Sequence, residues 1–210
     1  MKIFIDLFCG LGGASDAFVN DARWKVIRID NNPELLQHVR GMWLLDLSDV
    51  ENTLATIMAH LRNEAPTQVF IWASPPCTDF SMGNQARNLD AMDMTLLDAS
   101  LEIIDQLQRQ FNVVGWIVEN VRGAIGPFTE HMERDYSQRI GPFFLWGSFI
   151  PIACADASLD RHRKPFNSTN SRTHLRSNIH AKIPYALSDS LRMTLNNQRT
   201  LQGYIRTITD

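Results

Sequence analysis

The chain predicts an α/β domain whose mostly parallel sheet is covered by helices on both faces. Two observations carry that reading. Short apolar runs alternate with segments of helical period along most of the chain, as they do in parallel sheets. The polar, glycine- and proline-rich stretches then fall directly after those runs, at the strand ends where open α/β sheets bind ligands.

In chain order, Ile3–Leu7 reads as the first strand and Ala14–Val19 as the helix it feeds. Trp24–Ile29 is the second strand, followed by a turn at Asn31-Asn32-Pro33 and a short helix; Met42–Leu45 is a short third strand. Leu54, Ile57, Met58 and Leu61 recur at i, i+3, i+4 and i+7, which predicts an amphipathic helix over 50–62. Val69–Ala73 is the fourth strand. Leu97, Leu101, Ile104, Leu107 and Phe111 mark a further helix, and Val113–Val118 the fifth strand. Beyond Glu119 the pattern loosens: Phe143–Trp146 reads as a strand that Phe149–Ala153 continues, and 155–181 as loop. Pro184 sits in the first turn of a last helix carrying Leu187, Leu191 and Leu195 on one face.

At 210 residues, 44% hydrophobic and 20% charged, the composition is that of an ordinary globular protein with a full core. No apolar stretch approaches the roughly 18–20 residues of a membrane helix. Met1-Lys2 runs straight into the first strand, so no signal peptide is expected. Cys9, Cys77 and Cys154 form neither a disulfide framework nor a zinc spacing, which fits a reducing cytoplasm. The net charge of −3 hides an asymmetry. Between Arg161 and Arg206 stand nine Lys or Arg residues and one acid, Asp189, a phosphate-contact candidate weighed against a merely solvated surface.

Three segments carry chemistry. After the first strand comes Asp6-Leu7-Phe8-Cys9-Gly10-Leu11-Gly12-Gly13, whose glycines allow positive φ or close approach of a ligand. Asp30 ends the second strand, where Rossmann-like proteins present a carboxylate to ribose, and Asp46 follows the third. Either Asp alone is an ordinary helix cap or turn residue; at successive strand ends they outline a nucleoside pocket. After the fourth strand, Pro75 and Pro76 form a stiff lead-in to Cys77, in a segment too polar for a buried structural cysteine. Glu119 stands at the end of the fifth strand, a carboxyl for the same cleft.

The three segments, in this order, resemble the DNA cytosine-5 methyltransferase family, over about residues 1–150. DLFCGLGG at 6–13 resembles that family's cofactor turn, PPC at 75–77 its nucleophile motif and ENV at 119–121 its base-recognition motif. The resemblance implies a Rossmann-like S-adenosylmethionine-dependent methyltransferase fold acting on flipped cytosine in double-stranded DNA, in a compact, phage-like member that protects DNA from restriction. It implies that Phe8 stacks near the adenine of S-adenosyl-L-methionine, that Gly10, Gly12 and Gly13 pass its amino-acid portion, and that Asp30 holds the ribose and Asp46 the adenine. Asp6 and Pro75 complete the implied cofactor pocket. Cys77 attacks cytosine C6, Glu119 bonds N3 and the exocyclic amine, and Asn120 braces the proline loop. Pro76 and Ser81 lie on the implied substrate side. Arg139 resembles the arginine of a Gln-x-Arg-x-Arg strand entry, with Arg161 and Arg163 as alternatives.

The chain departs from the family pattern at Ser74, where Gly is usual, and at Thr78, where Gln is usual. It also has only 151–183, a short basic segment, in place of a target-recognition domain, so 184–210 follows as a closing helix and tail packed on a catalytic domain of 1–150. A separate recognition subunit or a homo-oligomer would compensate. The short segment also keeps two rivals in play: the same chemistry on a free cytosine nucleotide or RNA, and a non-catalytic DNA-binding relative.

Overall fold

The strand β1 (Lys2–Leu7) is buried along its whole length, as a central strand between two neighbours and covered on both faces is. Parallel to it lie β2 (Trp24–Asp30) and β4 (Gln68–Ala73), so that Leu7 stands between Ile29 and Ala73. Beyond β2 comes the two-residue β3 (Trp43–Leu44), and beyond β4 comes β5 (Val113–Asn120), both parallel. The far edge reverses: β7 (Phe143–Ser148) is antiparallel to β5, and β6 (Gln138–Ile140) antiparallel to β7. The seven-stranded order is β3-β2-β1-β4-β5-β7-β6, a mostly parallel sheet as the sequence predicts. This computed structural model describes residues 1–81, 92–154 and 175–209, with side chains not described at 176, 177, 180 and 198–209.

Period-2 alternation splits the core in two. Ile3, Ile5, Leu7, Val69, Ile71 and Val118 face a layer built from α2 (Val50–Glu64), α3 (Thr95–Gln110) and α4 (Ile125–Met132). Phe4, Phe70, Trp72 and Ile117 face Phe18 of α1 (Asp16–Val19) and Leu187, Leu191 and Leu195 of α6 (Tyr185–Thr209). Leu187, Leu191 and Leu195 do form one face, as predicted. Polar bonds lock α6 onto α1: Ser188 Oγ accepts from the Ala17 N–H at 3.1 Å and donates to the Ala14 carbonyl at 2.7 Å. Arg192 pairs with Asp21 at 2.9 Å, while Trp24 Nε1 donates to Asn196 at 2.9 Å.

The irregular elements differ most from expectation. Phe149–Ala153 does not continue the strand. Pro151 has no N–H to give a ladder, and Ile152 is instead clasped by the Gln138 side-chain amide, which donates to its carbonyl and accepts from its N–H, each at 2.8 Å. Within 155–181, read as loop, residues 155–174 lie outside the described residues, but α5 (Arg176–Ala181) is a helix. It is too short and polar to show an apolar period. The predicted elements also omit β6 and α4; Gly126 and Pro127 sit in the first turn of α4, where proline's missing N–H costs nothing.

Gly13 packs directly on the chain leading into α6, and a Cβ there would collide with backbone N and O of Ile183. Gly13→Ala is expected to lower stability by about 1–3 kcal/mol. Gly126→Ala, whose Cβ meets nothing within 4 Å, is expected to leave it unchanged or raise it by about 0.4–1 kcal/mol. Urea unfolding of the two variants side by side tests this; equal midpoints would refute the packing argument.

Candidate active site

In the strand order, β1 and β4 are where the chain's direction of travel across the sheet reverses, and a crevice opens at their carboxyl ends. The Cys77 loop leaves β4 beside the end of β5, because Ala73 pairs with Val118. Two side-chain bonds then fasten loop to strand. Asn120 Nδ2 donates to the Pro75 carbonyl at 3.0 Å, and Ser74 Oγ donates to Glu119 Oε2 at 2.9 Å. Past the prolines the backbone makes a tight turn, with the Cys77 carbonyl accepting from Phe80 and Ser81 N–H at 3.1 and 2.8 Å. Phe80 anchors it: the ring is buried and meets Phe128 of α4 edge-on at 5.0 Å.

Cys77 is half-buried, while Glu119 is only 7% exposed. Burial is the main force on both. It pushes Glu119 up to about 7 against the opposing Ser74 hydrogen bond. It raises the Cys77 thiol as well, and the nearby Glu119 charge raises it further. The sulfur and the carboxyl are thus within electrostatic reach of each other, and the thiol rests protonated at neutral pH.

On the other side of the switch point, Phe8, Gly10 and Gly12 of the turn after β1 all take positive φ, of 57, 50 and 72°. Asp30 steadies the turn, accepting from the Gly10 N–H at 2.9 Å and the Asn32 N–H at 3.0 Å. Asp6 is buried beneath it and accepts from Ser15 Oγ at 2.6 Å; burial raises its carboxyl to about 7. Gly12 and Gly13 are pressed from behind, Gly12 by the Arg28 guanidinium and Gly13 by Ile183. Their lack of a side chain serves internal packing as well as any ligand. Asp46 is exposed, accepts from the Ser48 N–H and hydroxyl at 3.0 and 2.8 Å, and is held below the usual carboxylate range by those bonds.

Pro75, Pro76 and Ser81 lie in the same loop as Cys77. Arg139 lies one strand removed from β5, exposed on β6, with its guanidinium 5.5 Å from the Phe144 ring and donating to the Gly141 carbonyl at 2.9 Å. Arg161 and Arg163 fall outside the described residues. Sequence reasoning missed two of the side chains that hold the site together, Ser74 and Phe80. Ser74 stood out only as a departure from a family pattern, and Phe80 had a visible signal as the one aromatic residue in an otherwise polar segment.

A mostly parallel seven-stranded sheet with an antiparallel edge and a glycine turn at its switch point matches the Rossmann-like methyltransferase fold. The family model for C-5 cytosine-specific DNA methylases matches residues 2–138, and the chain belongs to that family. Among solved structures, that of the S. pombe Dnmt2 methyltransferase aligns over 81% of this chain and 57% of its own, with 16% identity and a TM-score of 0.39. The chain therefore spans less than two thirds of that protein's length. No curated protein matches it.

Because Asp6 and Glu119 both sit near 7 when folded, against roughly 4 in an unfolded chain, the folded protein holds extra protons between those values. Stability contributed by their neutral forms is present at low pH and is lost as pH rises through about 7. Asp6→Asn with Glu119→Gln is expected to flatten the fall in Tm between pH 5 and 8. An unaltered slope in thermal unfolding would show that neither carboxyl is held neutral.

Proposed function

We propose that the chain is a DNA (cytosine-5)-methyltransferase that uses S-adenosylmethionine and a covalent bond from Cys77 to cytosine C6. The observation that carries this reading is the fastening of the Cys77 loop to the end of β5, which brings a thiol and a buried, near-neutral carboxyl to one crevice. A neutral Glu119 presents one O–H donor and one acceptor oxygen. Cytosine offers the complementary pair, an acceptor at N3 and donors on its amine, whereas uracil and thymine reverse both. These cytosine atoms are engaged in base pairing, so the base must leave the duplex to be read.

Cys77 adds to C6 as Glu119 gives its proton to N3 and the thiol proton passes to water. The carboxylate formed is then hydrogen-bonded by the N3–H and the amine of a neutral enamine adduct, a stabilisation that exists only once the adduct forms. Asn120 holds the loop through the Pro75 carbonyl, so the sulfur meets the ring without a search. When bound, S-adenosylmethionine supplies an electrophilic methyl group to C5. Loss of the C5 proton to water then expels the Cys77 thiolate and returns the N3 proton to Glu119.

The crevice residues fit such a donor. Three turn residues at positive φ bring backbone to the switch point, and Asp30, with one N–H bond on each oxygen, keeps lone pairs for hydroxyl groups. We assign the ribose to Asp30, the adenine to Phe8 and Asp46, and the remaining cofactor contacts to Asp6, Gly10, Gly12, Gly13 and Pro75. Pro76, Ser81, Arg139, Arg161 and Arg163 are assigned to DNA, residues 1–150 to catalysis, 151–183 to substrate contact and 184–210 to a closing helix and tail. Among the described residues no helix is long and apolar enough to cross a membrane.

Bisulfite sequencing of DNA from cells expressing the protein is expected to show new 5-methylcytosine. Cys77→Ser should abolish it, and Glu119→Gln should slow turnover by roughly 10²-fold or more. In competition assays, duplex DNA should displace label incorporation at far lower concentration than dCMP or RNA. Equal competition by dCMP or RNA would move the substrate away from DNA, and methylation surviving Cys77→Ser would end the covalent reading.

A further inference from the structure

Ser74 is held from three directions. Its N–H extends the β1–β4 ladder by donating to the Leu7 carbonyl at 3.1 Å. Its oxygen lies 2.7 Å from Trp72 Nε1 and 2.9 Å from Glu119 Oε2. An indole N–H can only donate, so the Ser74 oxygen is the acceptor in the first of these bonds. The one hydroxyl proton is thereby left for Glu119. Trp72 is itself fixed, 1% exposed in the core beside Ile117. Trp72, Ser74 and Glu119 share one sheet face, because alternate residues of β4 and its extension point the same way as alternate residues of β5.

We propose that Ser74 is the positioning residue for Glu119: its hydroxyl, aimed by the Trp72 indole, anchors Oε2 and keeps the acid proton on Oε1. This rests on the methyl-transfer reading above. The reason is chemical. The protonated oxygen of a carboxylic acid is a poor acceptor and its carbonyl oxygen a good one, so a donor fixed at Oε2 makes Oε2 the carbonyl. Among the described residues Ser74 is the hydrogen-bond partner of the Glu119 carboxyl, and the opposite oxygen therefore carries the proton that N3 of a cytosine requires. Burial and the Ser74 hydrogen bond are what act on this carboxyl, which in turn raises the Cys77 thiol. Without Ser74, a rotation of the carboxyl would exchange donor and acceptor, and the acid would no longer be held where the base meets it.

The same bond favours the ionised carboxylate, so its loss must move the titration of Glu119 upward. The test is a carbon-13 NMR titration of the glutamate carboxyls, with the Glu119 signal assigned by its absence in Glu119→Gln. Ser74→Ala is expected to raise the midpoint by roughly one pH unit and to carry the alkaline limb of kcat/KM up with it. Its kcat should fall by roughly tenfold while the KM for DNA changes by less than about twofold. Ser74→Thr, which keeps a hydroxyl and suits a strand end, is expected to restore the midpoint and kcat together. A midpoint unmoved in Ser74→Ala, or one that Ser74→Thr fails to restore, overturns the role of Ser74. The titration needs no turnover, so it is separate from the outcome that overturns the underlying reading, an unsubstituted protein that methylates no cytosine.

Discussion

Two hydrogen bonds between the end of β4 and the end of β5 hold the chemistry of this protein together: Asn120 to the Pro75 carbonyl and Ser74 to Glu119. Two consecutive prolines supply stiffness but no donors, so the loop cannot pin itself by its own N–H groups there. The partner strand pins it instead. Because Glu119 and Asn120 are consecutive in an extended strand, they point to opposite faces. One carboxyl can therefore sit with the Trp72 side of the sheet while its neighbour braces the nucleophile's loop. Neither residue could do both.

The register of the sheet explains why burial tunes this site. Asp6 and Glu119 end buried strands on the face covered by α1 and α6, and each is pushed up to about 7 by that burial. For Asp6 the consequence is local: it shares Ser15 with Arg28, which also bonds the Gly12 carbonyl and Asp16, and so stiffens the glycine turn. For Glu119 it is chemical, since a carboxyl close to neutrality can donate to a ring nitrogen. Lys182 reaches Asp16 at 2.7 Å, which ties the segment before α6 into the same network.

Much of this was legible in the sequence, for a physical reason. The central strands β1, β4 and β5 are apolar runs buried on both faces, and each ends in residues too polar to be core. Cys77 and Glu119 therefore announced themselves, and the structure sets them at neighbouring strand ends. What was not legible depends on contacts far apart in sequence. Ser74 gains meaning only from Trp72 and Glu119 together, and β6 is three residues long with a pairing visible only across β7. The glycines of the turn were read as room for a ligand, but Gly12 and Gly13 are also filled from behind by Arg28 and Ile183, partners no local pattern reveals.

The convergence of sulfur and carboxyl on one pyrimidine is tested most directly by trapping the adduct. A duplex carrying 5-fluorocytosine cannot lose a proton from C5, so a thiolate once added to C6 cannot depart. Incubation with S-adenosylmethionine, digestion and mass spectrometry should find the methylated nucleobase on the peptide containing Cys77, and Glu119→Gln should form it far more slowly. An adduct on Cys9 or Cys154, or none from a preparation that methylates ordinary cytosine, would contradict the arrangement of Cys77 and Glu119 described above.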